Sequence, residues 1–125
     1  MRMQLRLLLA QVLVVAAIVV AYFYLGIEHS FLWKFWWWDN VLHLLGGIWA
    51  AFVTVWVFGE FGFQRSFTVF VMGALVVGVS WEIIEYVWDF PQSWFVPYEI
   101  DVAKDILVDL VGGAVAYYAA RIFSL

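Results

Sequence analysis

At 125 residues the chain is long enough for one domain. It is 67% hydrophobic and 13% charged, with a mean hydropathy of +0.97, so it cannot clothe a soluble globule in polar surface and fits an integral membrane protein. A net charge of −4 without a basic run argues against a nucleic-acid partner, and the lack of Cys excludes disulfides and thiolate metal sites.

The first apolar run follows Met1-Arg2-Met3-Gln4-Leu5-Arg6 and continues to Leu25. It is too long for the core of a signal peptide, and no small-residue cleavage site follows. A retained membrane span over about 5–25 is expected. Gly26 to Trp38 is a connector carrying Glu28, His29, Lys34 and the cluster Trp33, Phe35, Trp36, Trp37 and Trp38. Such a cluster favours the headgroup region and reads as an interfacial anchor, with a stacking platform for a sugar as the alternative. A second span is expected over about 39–58, then a polar turn with Glu60 and Arg65, then a third span over about 67–88. The stretch from Asp89 to Ile100 holds Pro91 and Pro97 and reads as a non-helical loop, with Asp89 and Glu99 solvated. The fourth span is expected over about 101–123.

Each run approaches the ~20 residues that a spanning helix needs, and lipid requires backbone groups to bond internally. The expectation is therefore an all-α polytopic membrane protein, with residues 1–125 as one domain of four transmembrane helices. Of the six Lys and Arg residues, Arg2, Arg6, Arg65 and Arg121 fall on one side and Lys34 and Lys104 on the other. That bias places both termini in the cytoplasm of a multi-pass plasma-membrane protein.

Seven ionisable residues flank these spans at one membrane face: Asp39 and His43, Glu82 and Glu85, and Asp101, Asp105 and Asp109. At 1.5 Å per residue, none lies more than about 12 Å from the extracytoplasmic end of its span. A charge in hydrocarbon is rarely left facing lipid, so a shared polar pocket is expected, with Asp101 at its rim.

Residues 39–47 and 105–113 both read D-x-x-x-[HD]-x-x-G-G. The two segments start at the same face and run the same way, which suggests a parallel repeat of two helix hairpins. Residues four apart share a helix face, so Asp39 pairs with His43 and Asp105 with Asp109. The paired glycines one turn deeper permit close helix approach. Gly73, Ala74 and Gly78 can do the same on the third span.

Carboxylates crowded in a dry space either hold protons or bind a cation. Oxygen ligands with one imidazole suit a divalent metal ion: Mg²⁺, Mn²⁺, Ca²⁺ or Zn²⁺, with Fe²⁺ also open. The expected ligands are Asp39, Glu82, Asp101, Asp105 and Asp109, with His43 or Glu85 as general base. The expected partners are membrane lipids and a lipid-linked phosphate or glycan substrate, and the oligomeric state is open. Two other uses compete: a proton- or cation-coupled transporter or channel built on the same carboxylates, and structural or partner-binding hydrogen bonding between helices. Ser80 and Thr54 read as hydrogen-bonded to backbone, His29 as solvated, and Lys104 as neutralising a carboxylate or snorkelling.

At these residues the chain resembles the VanZ-like membrane proteins and, more closely, the YjdF-like family. The likeness rests on Asp39 and His43, then Glu82, then Asp105 with Asp109 ahead of Gly112, and on Asp101 before the Lys104-Asp105 pair. Glu85 and Asp109 stand where VanZ-like proteins tend to have Gln and Asn, and the third loop lacks their arginine-containing stretch. The resemblance implies a small polytopic membrane protein with a polar outer site and a place in cell-envelope chemistry.

Overall fold

The computed structural model describes residues 2–88 and 95–125. Asp89 and Pro91, expected in the third loop, lie outside the described residues. Helix α1 spans Arg2–Val19 and continues without a break into a π-helical segment, Val20–Glu28. A short α2 follows at Phe31–Lys34, then α3 at Trp38–Glu60, α4 at Phe67–Trp88 and α5 at Tyr98–Ile122. Among the described residues there is no strand.

Among the described residues three stretches are long and apolar enough to cross a membrane: Met3–Glu28, Trp38–Glu60 and Phe67–Trp88. The sequence pattern predicts four spans. The fourth long helix, α5, is set apart by its charges, Glu99, Asp101, Lys104, Asp105, Asp109 and Arg121. It also begins before the expected boundary. Pro97 precedes its first turn with φ −56°, and Glu99 lies inside that turn rather than in a loop.

Local chemistry sets the helix ends. Gly62 takes a left-handed conformation with φ +78°. There Phe63 N–H bonds the Phe58 carbonyl at 3.1 Å and so closes α3. Ser66 opens α4 by accepting the Val69 N–H on its hydroxyl at 3.4 Å.

Helices α3, α4 and α5 each pack on the other two, while among the described residues α1 packs on α3 and on the π-helical segment that continues it. The buried face of α5 is one stripe: Asp101, Asp105, Asp109, Gly112, Gly113, Ala116 and Ala120. The stripe is acidic in its first half and made of small residues in its second. Helix α4 shows the same division in reverse chain order, with Phe70, Gly73, Ala74 and Gly78 before Glu82. Leu7, Ala51, Phe52, Val55, Phe70, Ala116 and Ala120 form the apolar core at the non-acidic end. The outer surface is also apolar, with Leu13, Val76, Ile83, Leu107 and Ile122 all exposed.

The small residues fix how closely the rods approach. A Cβ on Gly112 would stand 2.6 Å from the Leu44 carbonyl oxygen, and one on Gly47 would stand 2.8 Å from Asp109 Cα. Those contacts put α3 and α5 backbone to backbone just below the acidic residues. Thr54 and Ser80 donate to the carbonyls of Ala50 and Val76 at 2.8 and 2.7 Å, as expected of hydroxyls inside apolar helices.

The aromatic connector divides. Trp33, Trp36 and Trp37 are exposed, as expected of interfacial anchors. Trp38 is instead buried, and its indole N–H donates to the Ala21 carbonyl at 3.1 Å. It therefore belongs to the contact between α3 and the first helix. His29 is exposed, with Nδ1 2.9 Å from the Tyr24 carbonyl, and takes no part in the acidic pocket.

Candidate functional site

Helix α3 carries His43 into the space between α4 and α5, where carboxylates surround both ring nitrogens. Nε2 lies 3.9 Å from Asp39 Oδ1, 3.8 Å from Glu82 Oε1 and 3.6 Å from Asp105 Oδ2. Nδ1 lies 3.4 Å from Asp109 Oδ1. Acids from three helices thus meet around one imidazole.

Lys104 supplies the second positive group. Its Nζ lies 2.7 Å from Asp101 Oδ1, 3.2 Å from Asp105 Oδ1 and 3.7 Å from Asp39 Oδ2. Of the two roles expected for this lysine, neutralisation is the one observed. It answers three carboxylates and does not snorkel away from them. Asp101, expected at the rim, is buried beneath that contact.

Exposure is greatest at the mouth. The side chains of Lys104 and Asp39 keep 24% and 21% of their accessible surface, against 4% and 5% for Asp105 and Asp109. The pocket therefore opens past Lys104 and Asp39 and ends at Asp109. Gly78 makes room for that last carboxylate, since a Cβ there would stand 2.9 Å from Asp109 Cγ.

Among the described residues two groups of side chains are close enough to hold a metal ion: Asp39, His43 and Asp105, and His43, Glu82 and Glu85. Within each group the donor atoms lie within 4.8 Å of one another. His43 belongs to both. Asp101 and Asp109, expected among the ligands, fall outside both groups. Asp101 is engaged by Lys104, and Asp109 stands behind the imidazole on its Nδ1 side. Glu85 is half-buried, and its Oε1 accepts the Trp81 indole N–H at 2.9 Å.

Two buried carboxylate oxygens in the pocket accept no hydrogen bond, Glu82 Oε1 and Asp105 Oδ1. The second is ion-paired to Lys104, whose Nζ lies 3.2 Å away. For the first, the cationic neighbour among the described residues is the His43 ring, 3.8 Å away. An unsatisfied buried acceptor costs about 1–3 kcal/mol, and more when charged. A cation between Glu82 and His43 would remove that cost.

Three buried or half-buried polar groups have places that sequence reasoning does not supply. Spacing offers Lys104 a carboxylate partner but does not put it at the centre of three acids. Asn40 Oδ1 and Gln11 Nε2 are buried without hydrogen-bond partners. Gln11 does carry a sequence signal, being an amide inside an otherwise apolar run, where such a group normally faces protein. Comparisons of this chain with protein-family models, with curated proteins and with the solved structures find no match.

Proposed function

We propose that this is a membrane protein holding one divalent cation in a blind pocket that opens to the extracytoplasmic face, for use on a lipid-linked phosphate or other envelope precursor. Glu82 carries the proposal: its buried Oε1 accepts no hydrogen bond and lies 3.8 Å from His43 Nε2. Two ligands about 2.1 Å from one ion stand roughly 3.4 Å apart in a tetrahedral site. The His43 Nε2 separations of 3.6 to 3.9 Å need only a few tenths of an ångström of closure. In this reading Nε2 ligates the ion and Nδ1–H points to Asp109, the carboxylate–histidine–metal arrangement that fixes a ring tautomer. His43 is then a ligand, and Glu85, half-buried beside the ion, is left as the general base.

The architecture that goes with this function has α5 as the fourth span and both termini in the cytoplasm. A parallel two-hairpin repeat is supported by one pair of equivalent positions meeting across α3 and α5: His43 lies 3.4 Å from Asp109. The resemblance to VanZ-like and YjdF-like proteins supports a role in the cell envelope.

Transport needs polar groups on both sides of the site. Beyond Asp109 the described interior of α3, α4 and α5 is Ala51, Phe52, Val55, Phe70, Ala74 and Ala116, with the Thr54 hydroxyl committed to the Ala50 carbonyl. A one-sided binding site fits that wall better than a conduit.

Calorimetric titration of the purified protein with Mg²⁺, Mn²⁺, Ca²⁺ and Zn²⁺ tests the proposal. Heat of binding for at least one ion, lost in Asp105→Ala, is expected. No heat with any of the four removes the metal. Proteoliposomes should stay tight to protons and cations, and flux abolished by Glu82→Gln would establish transport instead.

A further inference from the structure

The second half of α5 has an outward face that no other helix covers. Its buried stripe meets α3 at Gly112 and α4 at Gly113, and among the described residues the backbone of α1 runs along α3 and not along α5. On the outward face the small side chains of Ala114 and Ala119 leave a hollow of about 460 Å³ between Val111, Val115, Tyr118 and Ile122. That volume is within the ~300–1,000 Å³ of pockets that hold small ligands. Val111, Val115, Tyr118 and Ile122 are all exposed, so the hollow is an open furrow. It runs from the middle of α5 to its last turn, roughly 17 Å at 1.5 Å per residue. One leaflet is half of the ~30 Å hydrocarbon core, or ~15 Å. With α5 as a span, the furrow therefore has the length of one acyl chain in the leaflet opposite the acidic pocket.

A guanidinium stands at the end of the furrow. Phe123 completes the lining, and the carbonyl of the next residue, Ser124, accepts Arg6 Nη1 at 3.2 Å. Arg6 is exposed, and that carbonyl carries no net charge to balance it. Among the described residues every ion pair involves His43 or Lys104, so no carboxylate answers Arg6. Glu60, at the end of α3, is engaged by the Gln4 amide at 2.7 Å. A positive charge at the interfacial end of an apolar furrow one leaflet long is complementary to an anionic lipid. A planar guanidinium also suits phosphate, since it can donate to two oxygens at once. A second copy of the chain fits this face less well. Two such faces meeting about an axis along the membrane normal bring two Arg6 side chains to the same level without an acid between them.

We infer that this face of α5 is a seat for one anionic glycerophospholipid, with an acyl chain in the furrow and the phosphate on Arg6. The inference rests on the reading of α5 as a membrane span and is independent of the cation pocket.

The test uses the full-length chain in detergent, mixed with phosphatidylglycerol or phosphatidylcholine of the same acyl chains. Native mass spectrometry counts the lipid retained. The wild type is expected to hold one phosphatidylglycerol per chain in preference to phosphatidylcholine. Arg6→Gln should lower that preference by about 5-fold, the scale of one basic residue at an anionic lipid surface, and Arg6→Lys should keep most of it. Ala114→Leu fills the furrow and should reduce retention of both lipids. If that variant does not fold, Val115→Phe fills the furrow from its exposed wall. Arg121 lies at the same end of α5 and donates Nη1 to the Tyr117 hydroxyl at 2.9 Å; Arg121→Gln should match the wild type. Equal retention of the two lipids by the wild type overturns the inference, as does a loss of preference in Arg121→Gln as large as that in Arg6→Gln. Dimers that disappear in Ala114→Leu would assign the face to a second copy and overturn it too. In proteoliposomes, Val115→Cys reached by a water-soluble maleimide would put α5 outside the membrane and remove the span itself. A protected Cys with equal lipid retention removes the lipid seat alone, so the two failures are distinguishable.

Discussion

The carboxylate of Asp109 rests on the Cα of Gly78, with no room for a methyl group between them. The floor of the pocket is thus set by the absence of a side chain on α4 as much as by the acid on α5. Gly78→Ala should push Asp109 off the Nδ1 side of His43 and leave the helices in place. Mn²⁺ affinity is expected to fall by at least about 10-fold, the usual scale for losing a group that orients a metal-bound imidazole. Circular dichroism should retain the helical signal. Unchanged affinity would mean that Asp109 does not orient the ring.

Gly46 and Gly47 are neighbours in sequence with different surroundings. A methyl on Gly46 meets only Asp109 Oδ1 at 4.0 Å, whereas one on Gly47 runs into the Asp109 backbone. Gly47→Ala should destabilise by about 1–3 kcal/mol, in the range of overpacked cores. Gly46→Ala should stay within about 0.5 kcal/mol of the parent or stabilise slightly. Unfolding in mixed micelles compares the two. Equal effects would contradict the backbone contact between α3 and α5.

Trp38→Phe removes the indole donor from the Ala21 carbonyl and keeps most of the aromatic volume. A loss of about 1 kcal/mol is expected, together with faster amide exchange in the π-helical segment Val20–Glu28. Exchange there equal to the parent's would show that the bond does not hold the segment.

The proposed orientation can be read chemically because the chain has no native Cys. Trp36 and Phe63 are both exposed, and they lie in connectors at opposite ends of the bundle. In intact cells a membrane-impermeant maleimide should label Trp36→Cys and leave Phe63→Cys unlabelled until the cells are opened. The reverse pattern would invert the topology.

Much of this arrangement is legible in the amino-acid sequence. Apolar runs ending in acids mark the long helices, because a buried charge is tolerated only where a neighbour answers it. The i, i+4 spacing of Asp39 with His43, and of Asp105 with Asp109, puts the groups on faces that do converge. The separate fate of each Trp is not legible. Trp36, Trp37 and Trp38 look alike in sequence, and only the start of α3 at Trp38 turns the last of them inward. The position of Lys104 is hidden for a related reason. A long lysine stem can reach several acids or solvent, and spacing alone does not choose among them. The π-helical turn order of Val20–Glu28 has no period that a run of apolar residues would display.

Under the proposed function, the apolar wall of Phe52, Val55, Phe70 and Ala116 beneath Asp109 also bears on which compartment the protein would answer to. In the proposed orientation, a wall that excludes water would take most of the transmembrane voltage below the carboxylates, and an ion reaching His43 would cross little of that field. Occupancy would then track the ionic composition of a single compartment, almost indifferent to whether the cell is energised.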